Sequence, residues 1–146
     1  MERSAKDVAI SVRRLDLVMS QLRLGLSERL GLSAVEVLAL AHLSLEGALG
    51  PTDLGHRLHM TTGAVTALLD RLALADFVVR EPHPTDRRRI VVRLTPAGRE
   101  RLFGNVHDMA NQVIALTERL SSGEREIVGR FLEELCELIV SPPKTA

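Results

Sequence analysis

Aromatic residues are nearly absent: three Phe, no Tyr and no Trp in 146 residues. That excludes an aromatic platform on which single-stranded bases stack, and it makes any core aliphatic. A single cysteine, Cys136, excludes an internal disulfide and a cysteine-rich zinc site. No apolar run approaches the roughly 20 residues that span a bilayer, so no membrane association is expected. The opening MERSAKDVAI has no signal-peptide hydrophobic stretch, and a cytoplasmic location is expected. There is no Gly-rich phosphate loop, Gly-x-Ser-x-Gly elbow or paired-carboxylate cleft. Neither an enzyme nor a cofactor is therefore expected.

Net charge is also lacking, with 19 Lys/Arg against 19 Asp/Glu. The distribution is not even. Residues 1–49 carry six basic against six acidic side chains, residues 51–93 seven against five, and residues 94–146 six against eight. His56, His59 and His83 fall in the middle segment. Only the local field at a phosphate contact matters, so a neutral chain with a cationic middle can still bind DNA. Apolar residues make up 45% and charged residues 26% of the sequence, the balance of a folded chain that forms one ordinary domain.

The middle is organised around residues 77–95, FVVREPHPTDRRRIVVRLT. Phe77, Val78 and Val79 open it, and Ile90, Val92 and Leu94 alternate with Val91 and Arg93, the pattern of a β-hairpin. Pro82 and Pro84 cannot donate to a central ladder and mark a protruding loop. The loop carries Asp86-Arg87-Arg88-Arg89. Taken alone, the stretch is equally compatible with an ordinary solvated loop.

Its surroundings are helical. Val8, Val12, Leu15, Met19, Leu22 and Leu26 form a stripe along a helix over residues 5–29, which Gly31 ends. Ser33 and Glu36 form a capping box for a helix over 34–46. Its apolar residues Val37, Leu38, Leu40, Ala41 and Leu45 nearly surround it and predict burial. Pro51 starts a short third helix ending near Leu58, and Thr61 caps a fourth over 62–75. Two helices joined by so short a turn make a helix-turn-helix, and the hairpin behind them makes it winged. Thr95-Pro96 begins a fifth helix whose stripe runs through Leu102, Val106, Met109, Val113, Leu116 and Leu120. Ser121 and Glu124 box the start of a last helix with Val128, Phe131, Leu132, Leu135, Leu138 and Ile139 inward, stopped by Pro142-Pro143.

The expected fold is thus mainly α with a small β-hairpin wing, a winged helix-turn-helix flanked by long dimerisation helices in the order α-α-α-α-β-β-α-α. Residues 1–32 form the N-terminal dimerisation helix and 33–95 the DNA-binding region. Residues 96–141 form the C-terminal dimerisation helices, and 142–146 a loose tail, all within one structural unit. Three long apolar seams exceed what one small winged unit covers, and a symmetric dimer is the economical answer.

On the fourth helix Val65, Leu68, Leu69 and Leu72 form the buried stripe. The opposite face presents Gly63, Thr66, Ala67 and Asp70, with Thr62 at its edge. Small residues let the backbone approach a surface closely. Thr61, Thr62 and Thr66 offer hydroxyls to phosphates or base edges, and Ala64 or a Thr methyl suits a thymine methyl. In the loop, Asp86 can fix the turn or orient a guanidinium. That leaves one arginine to reach a minor groove, while Arg87 and Arg89 serve phosphates or salt bridges.

The stretches Asp53-Leu54, Thr61 through Leu72, Phe77-Val78-Val79-Arg80, Pro84-Thr85-Asp86-Arg87-Arg88 and Leu94-Thr95-Pro96-Ala97-Gly98 closely resemble the multiple-antibiotic-resistance repressor (MarR) family of bacterial transcription regulators. The resemblance covers essentially the whole chain, and the Asp-Arg-Arg wing followed by Leu-Thr-Pro-x-Gly is its most specific part. It implies a homodimer joined through its terminal helices, two winged units straddling a pseudo-palindromic operator, and DNA affinity lowered by a small aromatic or lipophilic effector in a cleft. Asp86 and Arg88 match the family's wing pair, with Arg88 as the groove probe. Thr62 departs from the pattern, standing where many relatives carry a basic residue, so shape readout by the wing gains weight. The DNA-binding set is therefore Thr61, Thr62, Gly63, Thr66, Asp86, Arg87, Arg88 and Arg89.

Cys136 is expected to be a buried, inert thiol, because the peroxide-sensing members place theirs near the N-terminus. His42 and His107 fall on helices that supply ligands in zinc-responsive relatives. Asn111 stands one turn after His107 and Leu30 offers no thiolate, so no metal site is expected. The alternative function is a winged-helix adaptor that no longer binds DNA, which the zero net charge and Thr62 favour. The residues leave open the operator sequence, the effector, the sign of regulation and the genes controlled.

Overall fold

The computed structural model describes residues 3–104 and 106–140, with the side chains of 106–110 excepted. The chain divides into two units, Met1–Gly104 and Asn105–Ala146.

In the first unit, α1 (Ala5–Leu30) starts at a capping box between Ser4 and Asp7 and ends at Gly31, whose φ of 64° is left-handed. Of its apolar stripe Leu26 is buried, whereas Val8, Leu15 and Leu22 remain exposed within the single chain. The expected capping box at Ser33 is present: Ser33 N donates to Glu36 Oε2 at 2.8 Å and Glu36 N to Ser33 Oγ at 3.3 Å. It opens α2 (Ala34–Glu46). The all-round burial expected of α2 is not found. Val37, Ala39, Leu40 and Leu43 are buried, while Ala41 is exposed and Leu45 is 87% exposed. The helix packs along one side only, so apolar content alone overstated its burial.

Helices α3 (Pro51–Leu58) and α4 (Thr62–Leu74) form the helix-turn-helix. His59 takes a left-handed φ of 52° at the turn, and Met60 N bonds back to Gly55 O at 3.0 Å. Gly55 lets the helices approach: a Cβ there would lie 3.1 Å from Val65 Cγ2. The predicted stripe of α4 is the centre of the core, with Leu68, Leu69 and Leu72 fully buried and Val65 nearly so. Each contributes roughly 2 kcal/mol of apolar burial.

Strands β1 (Val78–Pro82) and β2 (Ile90–Leu94) pair antiparallel, with Val78 opposite Leu94 and Pro82 opposite Ile90. Val78, Val92 and Leu94 face the core with Phe77. Leu49 adds a one-residue third strand, exchanging hydrogen bonds of 3.0 and 2.8 Å with Val92. No sequence pattern marks it, because a single bridged residue has no periodicity.

The continuous fifth helix expected from Pro96 to Leu120 is two helices. α5 (Pro96–Phe103) ends at Gly104, and α6 (Val106–Glu118) belongs to the second unit. The apolar spacing crosses this point unbroken, but α5 ends at Gly104, a weak helix former. In the second unit α7 (Ser122–Val140) follows a Ser121–Glu124 capping box, with Ser121 N to Glu124 Oε2 at 2.7 Å. Val128, Phe131, Leu132, Leu138 and Ile139 are exposed in the single chain, and Leu135 is half-buried. Cys136 is likewise exposed, not buried as expected. The expectation assumed cover for that stripe, and the single chain does not supply it. Among the described residues no helix is long and apolar enough to cross a membrane.

Candidate nucleic-acid interface

The N-terminal half of α4 is an open surface. Thr61, Thr62, Gly63, Ala64, Thr66 and Ala67 are exposed, and a Cβ at Gly63 would meet nothing within 4 Å. Thr61 is the N-cap, its Oγ1 accepting from Ala64 N at 3.4 Å. Thr66 donates its hydroxyl to Thr62 O at 2.9 Å, which leaves its oxygen able to accept a further hydrogen bond. The amide groups of the first turn supply partial positive charge at the same end.

The hairpin lies against that face. Arg80, on β1, donates Nη1 to Asp70 Oδ1 at 2.6 Å and Nη2 to Thr66 O at 3.4 Å. The pair neutralises the one acid of the exposed face and braces the wing to α4. Arg80 carries no sequence signal for this role, since its partners lie 10 and 14 residues away.

At the tip, Asp86 takes the first of its two expected roles. Its Oδ1 accepts from Arg88 N at 3.1 Å, and its carbonyl accepts from Arg89 N at 2.9 Å. His83 N closes the loop onto Arg89 O at 2.9 Å, and Thr85 N bonds His83 Nδ1 at 3.3 Å. The carboxylate thus shapes the turn and leaves the guanidinium of Arg88 unengaged. Among the described residues neither Arg87 nor Arg88 makes an ion pair. Arg89 does, with Nη2 at 3.9 Å from Asp53 Oδ2 at the start of α3. A cross-strand pair, Arg93 Nη2 to Glu81 Oε1 at 2.6 Å, stiffens the ribbon.

Behind the helix-turn-helix, Arg57 on α3 binds both carboxylate oxygens of Glu46, with Nε at 2.8 and 2.9 Å. Glu46 also meets His42 Nδ1 at 3.0 Å. These bonds, from Arg57 first and then His42, hold the Glu46 carboxyl below its ordinary value. His42 is thereby occupied in an ion-pair cluster. The side chain of His107 lies outside the described residues. Among the described residues no three His, Cys, Asp or Glu side chains converge as a metal site.

The MarR family model matches residues 32–90, which span α2 through the start of β2. An uncharacterized HTH-type transcriptional regulator of Mycobacterium leprae, ML2140, is 30% identical over 97% of this chain and 96% of its own length. The HTH-type transcriptional repressor YetL of Bacillus subtilis is 33% identical over 77% of this chain and 65% of its own. Among solved structures, a mutant of MepR from a multidrug-resistant S. aureus clinical isolate superposes with a TM-score of 0.68 at 20% identity, covering 95% of this chain and 99% of that one. A second S. aureus MepR mutant, bound to an oligodeoxyribonucleotide, gives 0.55 at 22% identity over 94% and 99%. With the fold and near full-length similarity in agreement, this chain belongs to the MarR family of helix-turn-helix transcriptional regulators.

Proposed function

We propose that two copies of this chain bind a pseudo-palindromic duplex operator as a repressor, and that a small aromatic or lipophilic effector releases them. The observation that carries this reading is the Arg80 brace, which sets an arginine-tipped wing beside the open face of α4. In this reading Thr62, Gly63 and Thr66 approach the major groove with Thr61 at the helix start, and Arg88 enters the adjacent minor groove. Arg87 and Arg89 serve phosphates, and Asp86 holds the loop. Half-sites then lie about one helical turn, roughly 34 Å, apart. The exposed stripes of α1 and α7 supply the apolar surface that a symmetric dimer needs. The DNA-bound MepR mutant and the repressor YetL support the same reading by their similarity.

The effector cleft is expected among aliphatic side chains of α1, α2 and α5, because no Tyr or Trp exists to line it. The deciding experiment is a gel shift on the DNA upstream of the protein's own gene, repeated at several salt concentrations and with a panel of small aromatic acids. Affinity should fall steeply with salt as phosphates are neutralised. Undetectable or salt-insensitive binding, with a stable protein complex in pull-down, would replace this reading by the adaptor.

A further inference from the structure

We infer that Arg101, on α5, is a positioning residue that fixes the C-terminal end of α4 and that the sequence preference of the DNA contact depends on it. This deepens the DNA-binding reading above and rests on it.

Helix α4 ends in a tight reversal. Asp76 N bonds Ala73 O at 3.0 Å and Phe77 N bonds Leu72 O at 2.9 Å, the paired closure that ordinarily places glycine in the left-handed position. Here that position is Asp76, with φ of 56°. Asp tolerates that region better than most residues but still at a cost that glycine does not carry, and its surroundings offset it. They do so from α5. Arg101 Nη2 donates to Ala75 O at 2.8 Å and to Asp76 O at 2.6 Å. Thr95 Oγ1 donates to the same Asp76 carbonyl at 2.8 Å, and Thr95 N to Phe77 O at 3.0 Å.

The Arg101 guanidinium also stacks on Phe77, 4.0 Å from the ring centroid. A cation at a helix C-terminus complements its negative dipole end. Arg101 is an exposed arginine that gives up its rotamer freedom to hold two carbonyls and a ring. One nitrogen, Nη2, serves both carbonyls while the flat guanidinium face lies on the ring, a stack that a compact ammonium cannot reproduce. The groove-facing residues of α4 and its anchored end belong to one rigid helix. An axial shift of a fraction of an ångström there moves Thr62 and Thr66 out of the narrow distance window for hydrogen bonds to base edges. Phosphate contacts tolerate the same shift better, because they rest mainly on charge neutralisation by long arginine side chains and not on one hydrogen-bond distance.

The experiment compares two duplexes: one selected by the wild-type full-length chain from random-sequence DNA, and a scrambled duplex of the same composition. Arg101→Ala is expected to weaken binding to the selected duplex about tenfold and to leave the scrambled one within about twofold. Arg101→Lys is expected to show the same selective loss, because it keeps the charge but not the planar stack on Phe77. Equal losses on both duplexes would reduce Arg101 to a general electrostatic contribution and overturn the inference, as would no loss on either. Thermal melting separates a folding defect: if neither variant folds, Arg101 is a stability residue and the inference falls. A wild-type chain that selects no duplex overturns the DNA-binding reading itself, and this inference with it.

Discussion

Arg71 on α4 donates Nε to Oε1 of Glu36 on α2 at 2.8 Å, across 35 residues of sequence. The carboxylate is buried and the guanidinium largely exposed, so a single acid both caps α2 and ties it to the helix proposed to read DNA.

Burial by itself pushes the Glu36 carboxyl up. The hydrogen bonds from Ser33 N, Ser33 Oγ and Arg71 outweigh burial and hold it below 4.5. A depressed folded-state value stabilises the fold fully above the unfolded value near 4.5 and is lost as pH falls through the lower, folded one. Glu36→Ala should cost roughly 1–3 kcal/mol at neutral pH. Chemical denaturation followed by circular dichroism between about pH 6 and about pH 3 should show that Glu36→Gln flattens the acid limb. A parallel limb in both proteins would remove Glu36 as its source.

Arg88 has its backbone fixed by Asp86, and among the described residues its guanidinium has no hydrogen-bond or ion-pair partner. Arg88→Ala is expected to weaken operator binding by about 1–3 kcal/mol, and Thr66→Ala by less. A gel-shift titration in which the Arg88 variant matches wild type would discard its groove role.

Gly98 sits on the Phe77 backbone, where an added Cβ would fall within 3.0 Å of the carbonyl. Neither backbone can yield without breaking the Thr95 and Arg101 bonds to the same turn. Gly98→Ala should therefore lower stability by roughly 1–3 kcal/mol, read as a drop in melting temperature. An unchanged melting temperature would mean that the turn is softer than its bonds imply.

Leu15 on α1 and Leu132 on α7 are 56% and 45% exposed in the single chain. If these stripes are the dimer interface, Leu15→Glu or Leu132→Glu should convert a dimer into a subunit of about half the mass and reduce operator affinity. Light scattering at micromolar concentration checks it. A wild-type chain that already has the mass of one subunit would defeat the dimeric reading.

Local chemistry was legible in the residue order. Ser33-Ala-Val-Glu36 predicted its capping box, Thr61 its helix start, and the 65-68-69-72 spacing its buried stripe, because each depends on neighbours within one or two turns. The hairpin was equally readable from Phe77–Val79 and Ile90–Leu94, whose alternation is a property of the strand itself. Burial was less so. Leu45 on α2 and the α7 stripe are apolar yet exposed in one chain, because hydrophobicity states what a side chain favours and not whether a surface is there to meet it.

What the residue order alone determined is a set of helices, a two-stranded ribbon with three arginines at its tip, and the family to which that order is similar. What only the folded chain decided is which charges remain unengaged. Asp86 commits its carboxylate to the loop backbone, Arg80 pairs with Asp70, Arg89 with Asp53, and Arg101 holds the end of α4. Those assignments depend on partners brought together by packing, and a guanidinium in the sequence carries no mark of which carboxylate or carbonyl will stand within reach of it.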